Sequence, residues 1–496
     1  MTIRFLPNDP LAEALPHREQ PARPDPSAPQ VGFSYAAGIL EDIYALDSAE
    51  FRLWQCREAA LATLEAWAAL APLPTRWRNG QRLLPLQHDA GPGLNAQYDR
   101  TAVIFLGWET AAKNTYPAAS TEAVAHEIGH ALLDAVRPAL WDSPYTETAA
   151  FHEAFGDCMA MLVGLFDQAS RQALLQGGIL RAPNFLEALA EDVAEGVRLE
   201  HGANHPQSVP RRALNTLQWE IPVGLPPGGP PGALTAERHS FGRIFTGCFY
   251  DTVCNVFASQ PTQDEQGLLA AAQIAGRLLI AGAQAAPEGA RFFQAVGRAM
   301  ILEDGVLSGG THHSAIRDAF AGHQIAIGST VMLAPTSGLA GAPPTVDPAT
   351  GRASLPAGAR RDLLRRIGGR GRLRLKGIRV GGQAVAKAVH RRRVALGTLD
   401  SRLKNVVVSA VESVLIGSSA DRAVVLDRLP DARTTVDEVQ HFVATLLEHG
   451  VVAMKTVRRG TKRKTAGSAT RVLPTHHLRT RGGQKVLQRL RFSCGV

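Results

Sequence analysis

The chain has 496 residues, 45% of them hydrophobic, enough to bury large cores in two or three domains. Its formal net charge of +8 hides a division: residues 1–325 hold 22 Lys/Arg against 35 Asp/Glu, and residues 326–496 hold 31 against 10. Halves of opposite sign read as separate units, and no apolar run reaches the length that a membrane-spanning helix needs.

The N-terminus lacks a basic stretch followed by an apolar one, so no secretory signal is expected. Five scattered cysteines (Cys56, Cys158, Cys248, Cys254 and Cys494) are odd in number and lack paired spacing. They read as reduced thiols. The expectation is a cytoplasmic protein, or one exported without a cleavable signal. Cys248 and Cys254 sit in an apolar helical run and read as core rather than as a zinc pair.

Residues 1–35 hold many prolines and few periodic apolar positions, which predicts an irregular extension across the surface. Residues 44–70 predict a helix, with Phe51, Trp54, Leu61, Leu64 and Trp67 at near-helical spacing. Residues 76–108 read as short strands and turns. A helix over 121–135 carries His126-Glu127-Ile128-Gly129-His130. Residues four apart share a helix face, so His126 and His130 can point two imidazoles at one metal. Glu127 projects beside them, placed to take a proton from an attacking water. H-E-x-x-H is a short pattern; the bland alternative is an amphipathic helix with two partly exposed histidines.

A catalytic zinc site needs a third protein ligand. Phe151, Ala154, Phe155, Cys158, Met159 and Leu162 recur at helical spacing, with Glu153 and Asp157 together on one face. Acidic residues on a largely apolar helix are costly unless paired or metal-bound. Glu153 is the expected third ligand, and Asp157 the acceptor that fixes a ligating imidazole's tautomer. Residues 200–234 form a loop with a Pro/Gly cluster, and helices follow at 239–258, 264–284, 287–303 and 312–322. Residues 326–358 read as a Pro/Gly linker. The basic remainder, 359–496, contains Arg391-Arg392-Arg393, a strand or helix at 406–416 and a helix at 435–449. It lacks aromatic interleaving and zinc-finger spacing; its basic face suits nucleic acid phosphate, an anionic surface, an acidic protein or the acidic half itself, and the alternative is a solvated arginine-rich surface without a partner.

The set His126, Glu127, His130, Glu153 and Asp157 resembles the thermolysin family of neutral zinc metallopeptidases. The resemblance covers roughly residues 40–325. It implies an α+β, two-lobed fold: a mixed β/α lobe over 36–135 ending in the zinc helix, and a mostly helical lobe over 136–325. A separate basic domain would follow. It also implies Asp134 as a further supporting carboxylate and Asn95 and Ala96 as an edge strand that binds extended substrate. His239 would be the transition-state donor and Tyr145 an oxyanion stabiliser. His312 and His313 are rivals of His239, ranked lower. Calcium, with Glu122 as one ligand, is a second cation the family holds; Asp167, Glu191 and Asp192 lie out of register. Other departures are 22 residues between His130 and Glu153, His152 in place of the usual Asn, Glu237 at a different spacing from His239, and Tyr145 off by one.

The expected function is zinc-dependent endopeptidase action on a peptide or protein substrate, with Glu127 as general base. The alternative is a catalytically weak or inactive scaffold that binds partners through its basic region.

Overall fold

The structure is a computed structural model. It describes residues 2–36, 38–110, 112–178, 180–327, 345–346, 352–369, 373–380, 383–419, 422–425, 430–454 and 474–489. Most of the expected linker, the 455–473 part of the basic tail, Arg370 and Cys494 lie outside these residues.

The chain is a mixed α+β protein. Helix α1 (Ala49–Leu70) begins at Ser48, whose side chain accepts the Phe51 N–H. It starts later than the sequence pattern suggests and is buried around most of its circumference. Beside it lies a four-stranded sheet in the order Gly32–Ser34, Leu83–Gln87, Val103–Leu106, Asn95–Tyr98. The last pair is antiparallel, with Asn95 opposite Leu106 and Tyr98 opposite Val103. Strand Asn95–Tyr98 is therefore the edge.

Residues 1–35 are not an irregular surface extension throughout. Thr2–Phe5 pairs antiparallel with Arg18–Pro21, and Ile3 and Phe5 enter the main core. The following turn buries Asp9, whose carboxylate takes the Ser120 hydroxyl and the Asp192 N–H.

Helices α2 (Thr121–Val136) and α3 (Thr146–Phe166) cross at the centre. Ser120 caps α2 by accepting the Ala123 N–H. Helices α4 (Gln168–Gln176) and α5 (Glu191–His201) lead to α6 (Arg238–Ala258), α7 (Glu265–Ala285) and α8 (Phe292–Leu307), which pack around α3, and to α9 (His313–Gly322), which packs on α6 and α8. Glycines set the approach of three helices. A Cβ on Gly129 would lie 3.1 Å from Gly156 Cα, and one on Gly242 would lie 2.8 Å from the Ala150 carbonyl. By length and composition α3 and α7 could cross a bilayer, contrary to the sequence expectation, but the apolar window of α3 is 94% buried inside the protein.

Beyond α10 (Ala357–Arg366), a mixed sheet is built on the long strands Gln383–Ala395 and Val406–Ser419. Residues 406–416, read as strand or helix from sequence, are strand. Helix α11 (Ala432–Glu448) covers one face through Val439, Phe442, Val443 and Leu446. This body has its own apolar clusters and touches the first body at defined points. Val411 N–H donates to Glu288 O at 2.8 Å, Arg291 pairs with Glu438 at 2.7 Å, and His476 Nε2 donates to Pro144 O at 2.8 Å.

Candidate metal centre

Helix periodicity places His126 and His130 one turn apart on α2, and the α2–α3 crossing brings Glu153 opposite them. His126 Nε2 and His130 Nε2 are 3.1 Å apart. Glu153 Oε2 is 3.5 Å from the first and 3.6 Å from the second. Zinc with tetrahedral bonds of about 2.0–2.1 Å spaces its donors about 3.3 Å apart. The three donor atoms thus form a triangle of the size such an ion needs. Glu127 completes a group whose ligand-type atoms, with those of the two histidines, all lie within 4.8 Å of one another. The residues present fit a zinc ion.

The surroundings fix each donor. Asp157 Oδ1 lies 2.9 Å from His126 Nδ1, which keeps the proton on Nδ1 and frees Nε2 for a metal. Arg211 pairs with Asp157 at 2.7 Å. Burial alone would raise the Asp157 carboxyl, but Arg211 and His126 hold it well below its usual range. Burial would lower His126, but the hydrogen bonds to Asp157 and Glu153 carry it up to about 9 in the ion-free chain. His130, buried, drops to about 4. Gly156 makes room for the His126 ring: a Cβ there would lie 2.7 Å from Nδ1.

Glu127 is 2% exposed, and its Oε2 has no hydrogen-bond partner among the described residues. Burial lifts its carboxyl to about 7, the range suited to proton transfer near neutrality. The Tyr98 N–H bonds the same carboxylate, linking it to the edge strand.

His239 opens α6. Its Nε2 lies 3.2 Å from Glu153 Oε2 and its Nδ1 2.8 Å from Glu237 Oε1. Glu237 is also the helix cap, accepting the N–H groups of His239 and Ser240. The acid two residues upstream therefore orients the histidine despite its unusual spacing. Burial would lower His239, but Glu153 and Glu237 raise it to about 9. His312 and His313 stand at the start of α9 and do not line the cavity.

Asn95 and Ala96 line the same cavity, and Asn95 Oδ1 is buried without a hydrogen-bond partner among the described residues. Asp134 accepts the Tyr98 hydroxyl at 3.1 Å and two Arg100 nitrogens at 2.8 and 2.9 Å, tying α2 to the edge strand. His152 packs 5.7 Å from the His130 ring and 5.6 Å from Trp141.

Tyr145 is not brought to the centre. It is fully buried in the cluster of the C-terminal body, its ring 5.3 Å from Phe442, and its hydroxyl donates to Ser409 O at 3.0 Å. As the N-cap residue of α3 it turns to the C-terminal body, where Phe442 and Ser409 O receive its ring and hydroxyl. Of the carboxylates considered for calcium, Asp167 lies apart, capping α4 and pairing with Arg18 at 2.6 Å. Asp192 carries Lys113 at 2.5 Å, and the acid that joins Glu122 is Asp9.

Sequence reasoning misses Arg211, Arg238 and the 205–235 wall. Arg238 Nε lies 2.8 Å from Glu153 Oε1. His205, Val209, Arg211 and Gly229 face the edge strand across a cavity of about 360 Å³. No periodicity links these positions to the helices they meet, although an arginine adjoining His239 is a signal that could have been weighed. No family model matches the chain, and no curated protein matches it.

Proposed function

We propose that the chain is a zinc-dependent endopeptidase with the two-lobed, thermolysin-like arrangement. The observation that carries this is the triangle of His126, His130 and Glu153 with the buried Glu127 carboxylate beside it, whose Oε2 has no hydrogen-bond partner among the described residues. His126 Nε2, His130 Nε2 and a Glu153 oxygen would hold the ion. Bound zinc would polarise a scissile carbonyl and acidify the attacking water.

Glu127 takes the water's proton and delivers it to the leaving amine. Its raised carboxyl pKa suits both halves of that transfer. His239, held by Glu237 through Nδ1, offers an Nε2–H to the developing oxyanion. The edge strand Asn95–Tyr98 supplies backbone partners for an extended peptide, and the Asn95 amide anchors it. Arg211 keeps Asp157 ionised, so His126 keeps its tautomer.

The test is elemental analysis of the purified protein with chelator-sensitive cleavage of casein, on wild type and Glu127→Gln. About one zinc per chain is expected in both, with cleavage in wild type only. Full activity in Glu127→Gln would refute the general-base role, and zinc-free protein would remove the centre altogether.

A further inference from the structure

The cavity carries a carboxylate that the proposed mechanism does not use. Four acidic residues line it: Glu122, Glu127, Asp157 and Glu237. Asp157 pairs with Arg211, Glu237 pairs with His239, and Glu127 is the proposed base. Glu122 remains. It is 4% exposed, and its Oε2 accepts the Ala190 N–H at 3.1 Å. Among the described residues no cationic side chain pairs with it. The cavity's arginines are committed elsewhere: Arg211 to Asp157, and Arg243 to the Gly232 and Ala233 carbonyls.

Among the residues that line the cavity with Glu122 are several small and apolar ones. Ala123 is its neighbour on α2, Leu189 and Ala190 precede α5, and Val193 lies within the first turn of α5. An apolar sleeve with a carboxylate in its lining is complementary to one kind of side chain, an aliphatic stem ending in a cation. A buried carboxylate without a counterion is costly, and an incoming guanidinium or ammonium would relieve that cost. Burial, with Asp9, Glu191 and Asp157 adding like charge, pushes the Glu122 carboxyl well above its usual range, and a cation in the cavity would draw it back toward the ionised form.

We propose that Glu122 makes this cavity selective for arginine or lysine beside the cleaved bond. The proposal rests on the peptidase reading and names its substrate class. Glu122→Gln is nearly isosteric and retains an oxygen for the Ala190 N–H, so that hydrogen bond can persist while the charge is lost.

The experiment is cleavage of a peptide library, read by mass spectrometry at both residues flanking each cut, by wild type and Glu122→Gln. Wild type is expected to favour Arg or Lys over Leu by tenfold or more at one flanking position. Glu122→Gln should bring that ratio within twofold of unity, with zinc content and melting temperature retained. A wild-type preference for Leu that Glu122→Gln leaves unchanged would overturn the proposal. So would calcium binding lost in Glu122→Gln with no change in cleavage preference, which would make Glu122 a cation ligand.

A binding arm keeps failure of the peptidase reading separate. Fluorescent Gly-Ala-Arg-Ala and Gly-Ala-Leu-Ala are titrated into Glu127→Gln protein and into the Glu122→Gln, Glu127→Gln double variant. Tenfold tighter binding of the arginine peptide, lost in the double variant, supports the recognition role even if wild type cleaves nothing. Equal binding of the two peptides refutes it. If Glu122→Gln does not fold, Glu122→Asp supplies the same comparison, with an attenuated preference expected.

Discussion

Gly156→Ala tests the centre where its geometry is least forgiving. The added Cβ would meet His126 Nδ1 at 2.7 Å and Cγ and Cε1 at 2.8 Å. Ordinary carbon contacts lie near 3.5 Å, so ring and helix must separate by about 0.7 Å. The backbones cannot simply slide, because Gly129 and Gly156 already bring α2 and α3 together. Ligand distances in a zinc site tolerate about ±0.2 Å, so a shift of this size breaks the donor triangle. It also strains the His126–Asp157 hydrogen bond, a kind of support whose loss lowers metal affinity about 10–100-fold. Zinc affinity, measured by chelator competition, should fall at least that far, and overpacking should cost about 1–3 kcal/mol of stability. Gly164→Ala is the control on the same helix: its Cβ would meet the Leu186 side-chain tip at 2.7 Å and Asn8 Nδ2 at an ordinary 3.8 Å. It should keep wild-type zinc affinity at a modest stability cost. A folded Gly156→Ala protein with zinc affinity within twofold of wild type would refute the role given to His126.

Tyr145→Phe should leave kcat for peptide hydrolysis unchanged and lower stability by about 1 kcal/mol, the worth of the lost bond to Ser409 O. A hundredfold fall in kcat at unchanged stability would return the tyrosine to the oxyanion site. Asp9→Asn should alter the pH dependence of unfolding. Burial and the Asp192 charge raise the Asp9 carboxyl from 3.8 to about 7, so the folded state holds a proton that the unfolded state has released. Wild type therefore loses stability as pH rises from about 4 to about 7 and no more above that. Asp9→Asn should gain on wild type across this window by a few kcal/mol. A stability difference that is flat from pH 4 to 8 would contradict the raised pKa.

What was legible in the sequence was local. His126 and His130 are one turn apart, as are Glu153 and Asp157, so helical periodicity alone aligned each pair. The fold then needed only to cross two helices, and the small residues that permit the crossing, Gly129 and Gly156, lie within the same motifs. Spacing conceals the role of Glu237 because a capping residue folds back on its own helix: its carboxylate reaches His239 from two positions upstream. Arg211 and Asp9 were invisible for a different reason. They act across 54 and 111 residues, on Asp157 and Ser120, and no periodicity encodes such contacts.

Tyr145 shows where likeness of position fails. A residue at the N-cap of a helix can swing toward either neighbour, and the choice depends on which offers burial and an acceptor. Here Ser409 O, on the strand Val406–Ser419, accepts the hydroxyl, and Phe442 supplies an aromatic face. The acidic and basic halves are thus joined at the segment that leads into α3. That segment also carries Pro144, bonded to His476, and Trp141, whose ring touches His152. The helix that presents Glu153 and Asp157 is therefore anchored at its start by the C-terminal body. Opposite charge favours the association of the two halves, and the specific contacts at Tyr145, Pro144 and Glu288 set its register.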